Sequence, residues 1–285
     1  MTGCSGLVVQ ARAEHEAARK PDDTGDCMAY DRREFLHLFS TGVVATGLPA
    51  RQSTAASHQR IKAVVFDAFA ILDARPVSAL AEALFPGRGS DLSNAWRTRQ
   101  FEYQWLRALS GRYADFWHTT GEALVFAARM LHLDLDPEKR AQLMQAYLDL
   151  RAWSDAAPAL ASLKQSGLRL AFLSNMTSKM LHSAIDNSGL DGLFDHVLST
   201  ERIASYKPDP AAYQMGLEEF RLAREEILFV AFAGWDVAGA RWFGYPTFWV
   251  NRMDVPAEEL GVSADAMGRS LADLVEFLKT RGLVR

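Results

Sequence analysis

The chain has 285 residues, of which 49% are hydrophobic, so it has room for one large domain or two modest ones with a substantial core. Its formal net charge of -4 and pI near 6.0, without any dense basic cluster, argue against nucleic-acid binding and favour a small-molecule partner. Both cysteines, Cys4 and Cys27, precede the first predicted strand, which excludes a disulfide, a thiol nucleophile and a thiolate zinc site from the folded part. The seven histidines are scattered without metal-ligand spacing.

Residues 1–60 do not show the pattern of the fold that follows. Arg32-Arg33 precedes a short apolar run that ends near Leu48, and residues 53–57 are small and polar. This order resembles a twin-arginine export signal of the bacterial kind. The run, about fifteen residues long, is shorter than the roughly 20 that a membrane-spanning helix needs. We therefore expect export to the periplasm. The alternative is an exposed amphipathic helix with an incidental arginine pair, which would leave the protein in the cytoplasm.

The folded part begins with the apolar run Val64-Val65-Phe66, which ends in Asp67. Consecutive β-branched and apolar residues are typical of a strand that is buried on both faces of a parallel sheet. Ligands of such sheets bind beyond the carboxyl ends of the strands, so this strand would deliver Asp67 to a reaction site. The alternative is that Asp67 caps the turn or helix that follows.

The rest of the chain alternates strand-like and helical segments. Four later segments look like buried strands, at residues 168–173, 196–198, 227–231 and 247–250. Helical patterns separate them, at residues 156–166, 178–188 and 210–220. This alternation predicts an α/β fold with a doubly wound, Rossmann-like parallel sheet and right-handed crossovers.

An excess of helix lies between the first and second predicted strands. The helical segments there are residues 78–84, 91–109, 113–132 and 137–150. Because a crossover needs only one helix, the remainder predicts a separate helical cap over residues 77–154, inserted into a core of residues 61–76 and 155–285. Most aromatic residues of the cap are expected in its own core, since Phe101 and Trp105 have helical spacing.

Polar residues follow or flank the ends of the predicted strands. They are Asp67, Ser174, Asn175, Lys207 and Asp236. A doubly wound sheet would gather them at one edge, and a carboxylate nucleophile needs a nearby cation such as Lys207 to stay ionised and oriented. Taken alone, Lys207 could equally belong to an ordinary surface Lys-Pro-Asp turn.

These motifs, in this order, resemble the haloacid dehalogenase superfamily over about residues 61–275. The cap resembles the lid of the type II (S)-2-haloacid dehalogenases in the motifs Phe85-Pro86-Gly87-Arg88-Gly89, Trp96-Arg97, Gln100-Phe101-Glu102-Tyr103, Trp105-Leu106-Arg107 and Gly111-Arg112-Tyr113. Phosphatases of the superfamily have acidic residues where this chain has Phe69 and Phe232. That departure argues against metal-assisted phosphoryl transfer.

The resemblance implies hydrolysis of short (S)-2-haloalkanoic acids to 2-hydroxy acids by a homodimer, through an aspartyl ester and without metal or cofactor. It implies Asp67 as nucleophile, Lys207 as its partner, and Asp236 as the group that orients Lys207 or the hydrolytic water. Arg97 and Asn175 would receive the halide, although Arg97 alone could be read as part of a solvated helix face. The remaining implied residues are Ser174 for the substrate carboxylate, Tyr213 as support, and Phe69, Phe101, Phe116 and Trp235 as the apolar pocket wall.

Three positions depart from the family. Ile71 replaces a threonine whose hydroxyl contacts the substrate carboxylate, and Ala231 and Ala233 replace a serine and an asparagine that position nucleophile and water. Loss of one preorganised donor can cost about 10²–10³ in rate. The alternatives to a dehalogenase are therefore a weakly active or non-catalytic carboxylate-binding protein and, with less support, a phosphatase.

Overall fold

The computed structural model describes residues 61–284, so the predicted export signal lies outside the described residues. The strands are β1 (Ala63–Phe66), β2 (Leu72–Asp73), β3 (Arg151–Ala152), β4 (Arg169–Ser174), β5 (His196–Ser199), β6 (Ile227–Ala231), β7 (Thr247–Val250) and β8 (Ala266–Gly268). The α-helices are α1 (Ala68–Ile71), α2 (Arg75–Leu84), α3 (Gly89–Leu109), α4 (Phe116–Met130), α5 (Pro137–Leu148), α6 (Ala156–Gln165), α7 (Ser178–Ser188), α8 (Pro210–Phe220), α9 (Gly234–Phe243) and α10 (Leu271–Thr280). None of these helices combines the length and apolar character that a membrane crossing requires.

Six strands form one parallel sheet in the order β5-β4-β1-β6-β7-β8, which confirms the predicted Rossmann-like α/β fold. All four residues of β1 are fully buried, because this strand lies at the centre with β4 on one side and β6 on the other. The connections run outward from β1 in both directions. The carboxyl end of β1 is thus the switch point where ligands of such sheets bind.

The predicted elements differ from the observed ones mainly at their ends. Strand β1 stops at Phe66, and α1 begins at once, so Asp67 stands at a strand-to-helix junction. The short elements β2, β3 and β8 and the helices α9 and α10 had no sequence prediction. Two glycines inside α9, at 234 and 239, weaken its helical pattern, and strands of two or three residues are too short to show periodicity.

Helices α2 to α5 form the inserted cap. The chain enters and leaves it side by side, because β2 and β3 pair antiparallel with Leu72 opposite Ala152. Trp153 secures this crossing point, where its backbone N donates to Ile71 O at 2.9 Å and its indole N donates to Leu72 O at 3.0 Å. The predicted boundary between residues 76 and 77 falls inside α2. The assignment of residues 77–154 as a separate domain stays a prediction.

Candidate active site

A buried chain of charges lies at the carboxyl edge of the sheet. The Lys207 ammonium, which is fully buried, donates to Asp67 Oδ1 at 2.9 Å and to Asp236 Oδ2 at 2.6 Å. Tyr213 Oη donates to the other oxygen of Asp236 at 2.7 Å. The end of β1, the loop before α8, helix α8 and the first turn of α9 each contribute one of these residues. Folding therefore assembles the cluster from four separate segments.

The two oxygens of the Asp67 carboxylate have different partners. Its Oδ2 accepts from Phe69 N at 3.0 Å, which caps α1, while its Oδ1 pairs with Lys207. Its backbone N donates to Val230 O at 2.9 Å and so continues the pairing of β1 with β6. The two side-chain bonds fix the carboxylate in one orientation, which is what a nucleophile would need.

Burial and charge act against each other in this cluster. Burial alone would lower the pKa of Lys207, but the Asp236 and Asp67 carboxylates outweigh it and raise that pKa above its ordinary value. Burial raises the pKa of Asp236 to about 6; Lys207 opposes this rise and the Asp67 charge reinforces it. Burial and the second carboxylate outweigh the shared cation, which favours ionised Asp236, because this carboxyl is fully enclosed beside Asp67. Burial, followed by the Asp236 charge, also raises the pKa of Tyr213.

A cavity of about 160 Å³ lies between Asp67 and the cap. Its wall is mostly apolar. The aromatic side chains that line it are Phe69, Trp96, Phe101, Phe116, Tyr147, Trp153, Phe232 and Trp235. Such a wall excludes water and strengthens any electrostatic contact with a small anion inside.

Arg97 carries the positive charge of the cap side of this cavity. It forms no ion pair with a carboxylate among residues 61–284, and its guanidinium lies 5.8 Å from the Phe101 ring centroid and 5.9 Å from that of Phe232. The second arginine of the cavity wall, Arg75, is by contrast paired with Asp73 at 2.7 Å. Arg97 thus lies near two rings and keeps its charge available to an anionic ligand.

Ser174 and Asn175 line the cavity at the end of β4. Ser174 Oγ accepts from Met176 N at 3.1 Å, which leaves the hydroxyl hydrogen for another acceptor. Asn175 Oδ1 accepts from Lys207 N at 2.8 Å, and Asn175 Nδ2 donates to Gln104 Oε1 at 3.0 Å. Both residues therefore have one donor hydrogen left that can face a ligand.

The structure brings the predicted site residues together but places them in two layers. Those that line the cavity are Asp67, Phe69, Arg97, Phe101, Phe116, Ser174, Asn175 and Trp235. Lys207, Asp236 and Tyr213 lie behind Asp67 and outside the cavity wall, so Tyr213 contacts Asp236 instead of the ligand space. Of the departures from the family, Ala233 lines the cavity, whereas Ile71 and Ala231 are buried outside its wall.

Several contacts of the site were not predicted from the sequence. Gln104 reaches Asn175, Trp105 Nε1 donates to Lys207 O at 3.3 Å, and Phe232 stacks near Arg97. The sequence does carry a signal that Gln104 is buried, because Gln100 and Gln104 continue the four-residue spacing of the buried Trp96 on α3. Within residues 61–284 no three His, Cys, Asp or Glu side chains are grouped closely enough to hold a metal ion.

Comparison with known proteins gives consistent matches. A family model described as haloacid dehalogenase-like hydrolase matches residues 38–244. The (S)-2-haloacid dehalogenase of Pseudomonas sp. strain YL is 41% identical over 221 residues, covering 77% of this chain and 95% of that protein. Haloacetate dehalogenase H-2 of Moraxella sp. strain B is 40% identical over 208 residues, covering 73% and 93%. The structure of the L-2-haloacid dehalogenase from Xanthobacter autotrophicus with chloropropionic acid covalently bound superposes with a TM-score of 0.71 at 36% identity, covering 77% and 98%.

Proposed function

The chain belongs to the haloacid dehalogenase-like hydrolases, and from this premise we propose that it hydrolyses short (S)-2-haloalkanoic acids to 2-hydroxy acids through an ester on Asp67. The observation that carries the proposal is the buried Asp67–Lys207–Asp236 chain at the floor of an aromatic cavity. The relatives named for haloacid and haloacetate dehalogenation support the substrate class.

In the first step one Asp67 oxygen attacks the halogen-bearing carbon of the substrate. The carbon–halogen bond breaks, its electron pair leaves with the halide, and an ester bond forms between Asp67 and the substrate. Lys207 keeps Asp67 ionised and oriented for this attack. The free hydroxyl hydrogen of Ser174 binds the substrate carboxylate.

The departing halide needs hydrogen-bond donors in a water-poor place, because negative charge concentrates on it as the bond breaks. Arg97 and the remaining amide hydrogen of Asn175 supply these donors from opposite sides of the cavity. Phe69, Phe101, Phe116 and Trp235 form the apolar wall that keeps water away from the developing charge.

In the second step water adds to the carbonyl carbon of the Asp67 ester. The bond from that carbon to the ester oxygen, which Asp67 supplied in the first step, then breaks, so the 2-hydroxy acid leaves with that oxygen and a proton passes to solvent. Both Asp236 oxygens already accept hydrogen bonds, from Lys207 and Tyr213, which favours Asp236 as the residue that orients Lys207 over a role on the water.

An isotope experiment tests the covalent step. Incubation with chloroacetate or (S)-2-chloropropionate, without added metal, should release chloride, and one turnover in heavy-oxygen water should label Asp67 before the product. Asp67→Asn should release none. Label in the product from the first turnover, or chloride release by the Asn variant, would falsify the ester intermediate.

A non-catalytic carboxylate-binding protein is the second candidate, because Ile71, Ala231 and Ala233 are apolar where the family has polar side chains. It predicts saturable binding of 2-haloacids without chloride release. In that case the triple change to Thr, Ser and Asn should restore turnover. A phosphatase would instead require magnesium, and its acidic positions hold Phe69 and Phe232, whose ring centroids lie 6.2 Å apart.

We propose that the protein is exported through the twin-arginine route to the periplasm, as Arg32-Arg33 and the following apolar run suggest. Replacing both arginines by lysine should leave the protein in the cytoplasm. Periplasmic recovery of that variant would contradict the proposal.

We further propose a homodimer formed through the cap. Helices α3 and α4 expose Leu106, Leu109, Phe126 and Met130, with Leu109 87% exposed, and an apolar face of this kind marks an interaction surface. Sedimentation should give a dimer that Leu109→Asp weakens. A monomeric wild-type protein would contradict the proposal.

A further inference from the structure

One hydrogen bond joins the cap to the proposed halide site. Gln104, fully buried on α3, accepts from Asn175 Nδ2 through its Oε1 at 3.0 Å, and Asn175 itself is 6% exposed. The next residue, Trp105, donates its indole N–H to Lys207 O. Two successive residues of one cap helix thus contact two residues of the core site.

The direction of the Asn175 amide follows from its partners. Lys207 N–H can only donate, and it lies 2.8 Å from Oδ1, so the oxygen must face Lys207 and Nδ2 must face Gln104. Gln104 must then present its own oxygen, because the opposite orientation would set two amide NH₂ groups against each other. One Nδ2 hydrogen is used, and the other remains for the cavity that Asn175 lines.

This arrangement leaves Gln104 with an unfavourable environment of its own. Its Nε2 is buried and has no hydrogen-bond partner among residues 61–284. A buried donor without a partner destabilises a fold, so packing alone would favour an apolar residue here. Gln100, one turn earlier on the same helix, donates instead to Thr120 Oγ1 at 2.5 Å, within the cap. Of these two buried glutamines, Gln104 is the one that reaches the core.

We propose that Gln104 is a positioning residue that reaches from the cap to hold Asn175 with one amide hydrogen directed at the departing halide. The inference rests on the proposed dehalogenation for its kinetic consequences. The hydrogen bond itself does not depend on that proposal.

The test is Gln104→Leu, which removes the acceptor and places an apolar side chain of similar size at this buried position. A misdirected Asn175 should impair the poorer leaving group more, so kcat/KM should fall about tenfold for (S)-2-chloropropionate and less for the bromo analogue. The affinity for bromide, measured by saturable change of tryptophan fluorescence, should fall several-fold. Gln145→Leu is the control on the cap, because it makes the same side-chain change, removes the bond from Gln145 Nε2 to Asp149 Oδ1 at 3.0 Å, and lies outside the cavity wall, so it should leave both the bromo-to-chloro ratio and the bromide affinity unchanged.

A double-mutant cycle separates positioning from general damage. In an Asn175→Ala background, Gln104→Leu should have no further effect on the bromo-to-chloro ratio, since there is no amide to direct. Equal losses for both substrates, unchanged bromide affinity, or full additivity would overturn the inference. Gln104→Met, which keeps the side-chain length, replaces the leucine variant if that one does not fold. If the wild type releases no halide, the proposed function fails, and the bromide affinities still decide the role of Gln104.

Discussion

The two sides of the active-site cavity differ in how their charges are neutralised. On the core side, Lys207 is buried between Asp67 and Asp236, so its charge is neutralised before any substrate arrives. On the cap side, Arg97 is exposed, lies between aromatic rings, and has no carboxylate partner among residues 61–284. A nucleophile must be held in advance, whereas the charge that stabilises a leaving halide must remain available until that halide forms.

The largest effect should come from the core side. Lys207→Met would leave two buried carboxylates without a cation, so we expect a loss of about 3–5 kcal/mol in the free energy of unfolding together with loss of chloride release. Urea titration measures the first and a halide assay the second. The matched control is Lys62→Met, which breaks the Lys62–Glu226 pair at 2.5 Å, where the lysine side chain is 51% exposed.

That control should change stability by at most about 1 kcal/mol, because solvent screens an exposed pair. Similar losses in the two lysine variants would show that the core charges are not enclosed as described. The contrast between the two sides of the cavity would then disappear.

A change on the cap side should lower activity and leave the stability of the fold unchanged. Arg97→Met removes a halide donor, so kcat/KM should fall by about 10²–10³ while the free energy of unfolding stays within about 0.5 kcal/mol. Arg99→Met is the control on the same helix, since Arg99 pairs with Glu102 at 2.8 Å and lies 4.0 Å from the Phe126 ring, outside the cavity. It should retain wild-type kcat/KM, and equal losses in both variants would contradict a specific role for Arg97.

The same division explains what the sequence could predict. Asp67, Lys207 and Asp236 follow or flank strand ends, and a parallel sheet gathers such positions at one edge, so the core side was predictable residue by residue. The cap reading of Asp67 is observed, because one oxygen caps α1, while the other oxygen pairs with Lys207, and its role as a nucleophile stays a prediction. The parallel sheet and the limits of α7 and α8 follow from the same local patterns.

The contacts across the cavity were not predictable in the same way. Which face of α3 meets the core depends on how the cap packs, and helical periodicity does not encode that orientation. The hydrogen bond of Gln104 to Asn175 and the ring of Phe232 beside Arg97 therefore appear only in the structure. The phenylalanine at position 232 indicated that the acidic group of the phosphatases is missing there. It did not indicate that the ring would lie beside Arg97.

The pH dependence should separate activity from stability on the core side. Because burial raises the pKa of Asp236 to about 6, kcat/KM should fall about tenfold per pH unit below that value as Lys207 loses its second partner. The contribution of Asp236 to the free energy of unfolding should instead rise as the pH falls. The folded pKa exceeds the unfolded value of 3.8, so the native state binds the extra proton, and the contribution of Asp236 to unfolding free energy falls as pH rises from 3.8 to about 6.

Asp236→Asn should remove both of these trends, and pH profiles of kcat/KM and of urea unfolding measure them. Lys207 adds no pH dependence between pH 3.8 and 6, because its pKa is raised above 10.5. Its stabilising contribution is present below pH 10.5 and is lost only as the pH rises through the pKa of the folded state. An acid limb that persists in the Asn variant would assign the titration to another group.

The smallest expected effect concerns the ring that holds Arg97 on the core side. Phe232→Leu keeps an apolar residue but removes a cation–π contact worth about 0.5–1 kcal/mol at an exposed site, so kcat/KM should fall two- to fivefold, on the order given by that energy. Phe101→Leu removes the ring on the other side of the guanidinium and should have a similar effect. If the rings act by holding Arg97, neither change should lower kcat/KM further in an Arg97→Met background. A loss that persists there would mean that Phe232 acts on the substrate through the cavity wall, where it packs near Phe69, and the charge of the cap side would then be positioned by α3 alone.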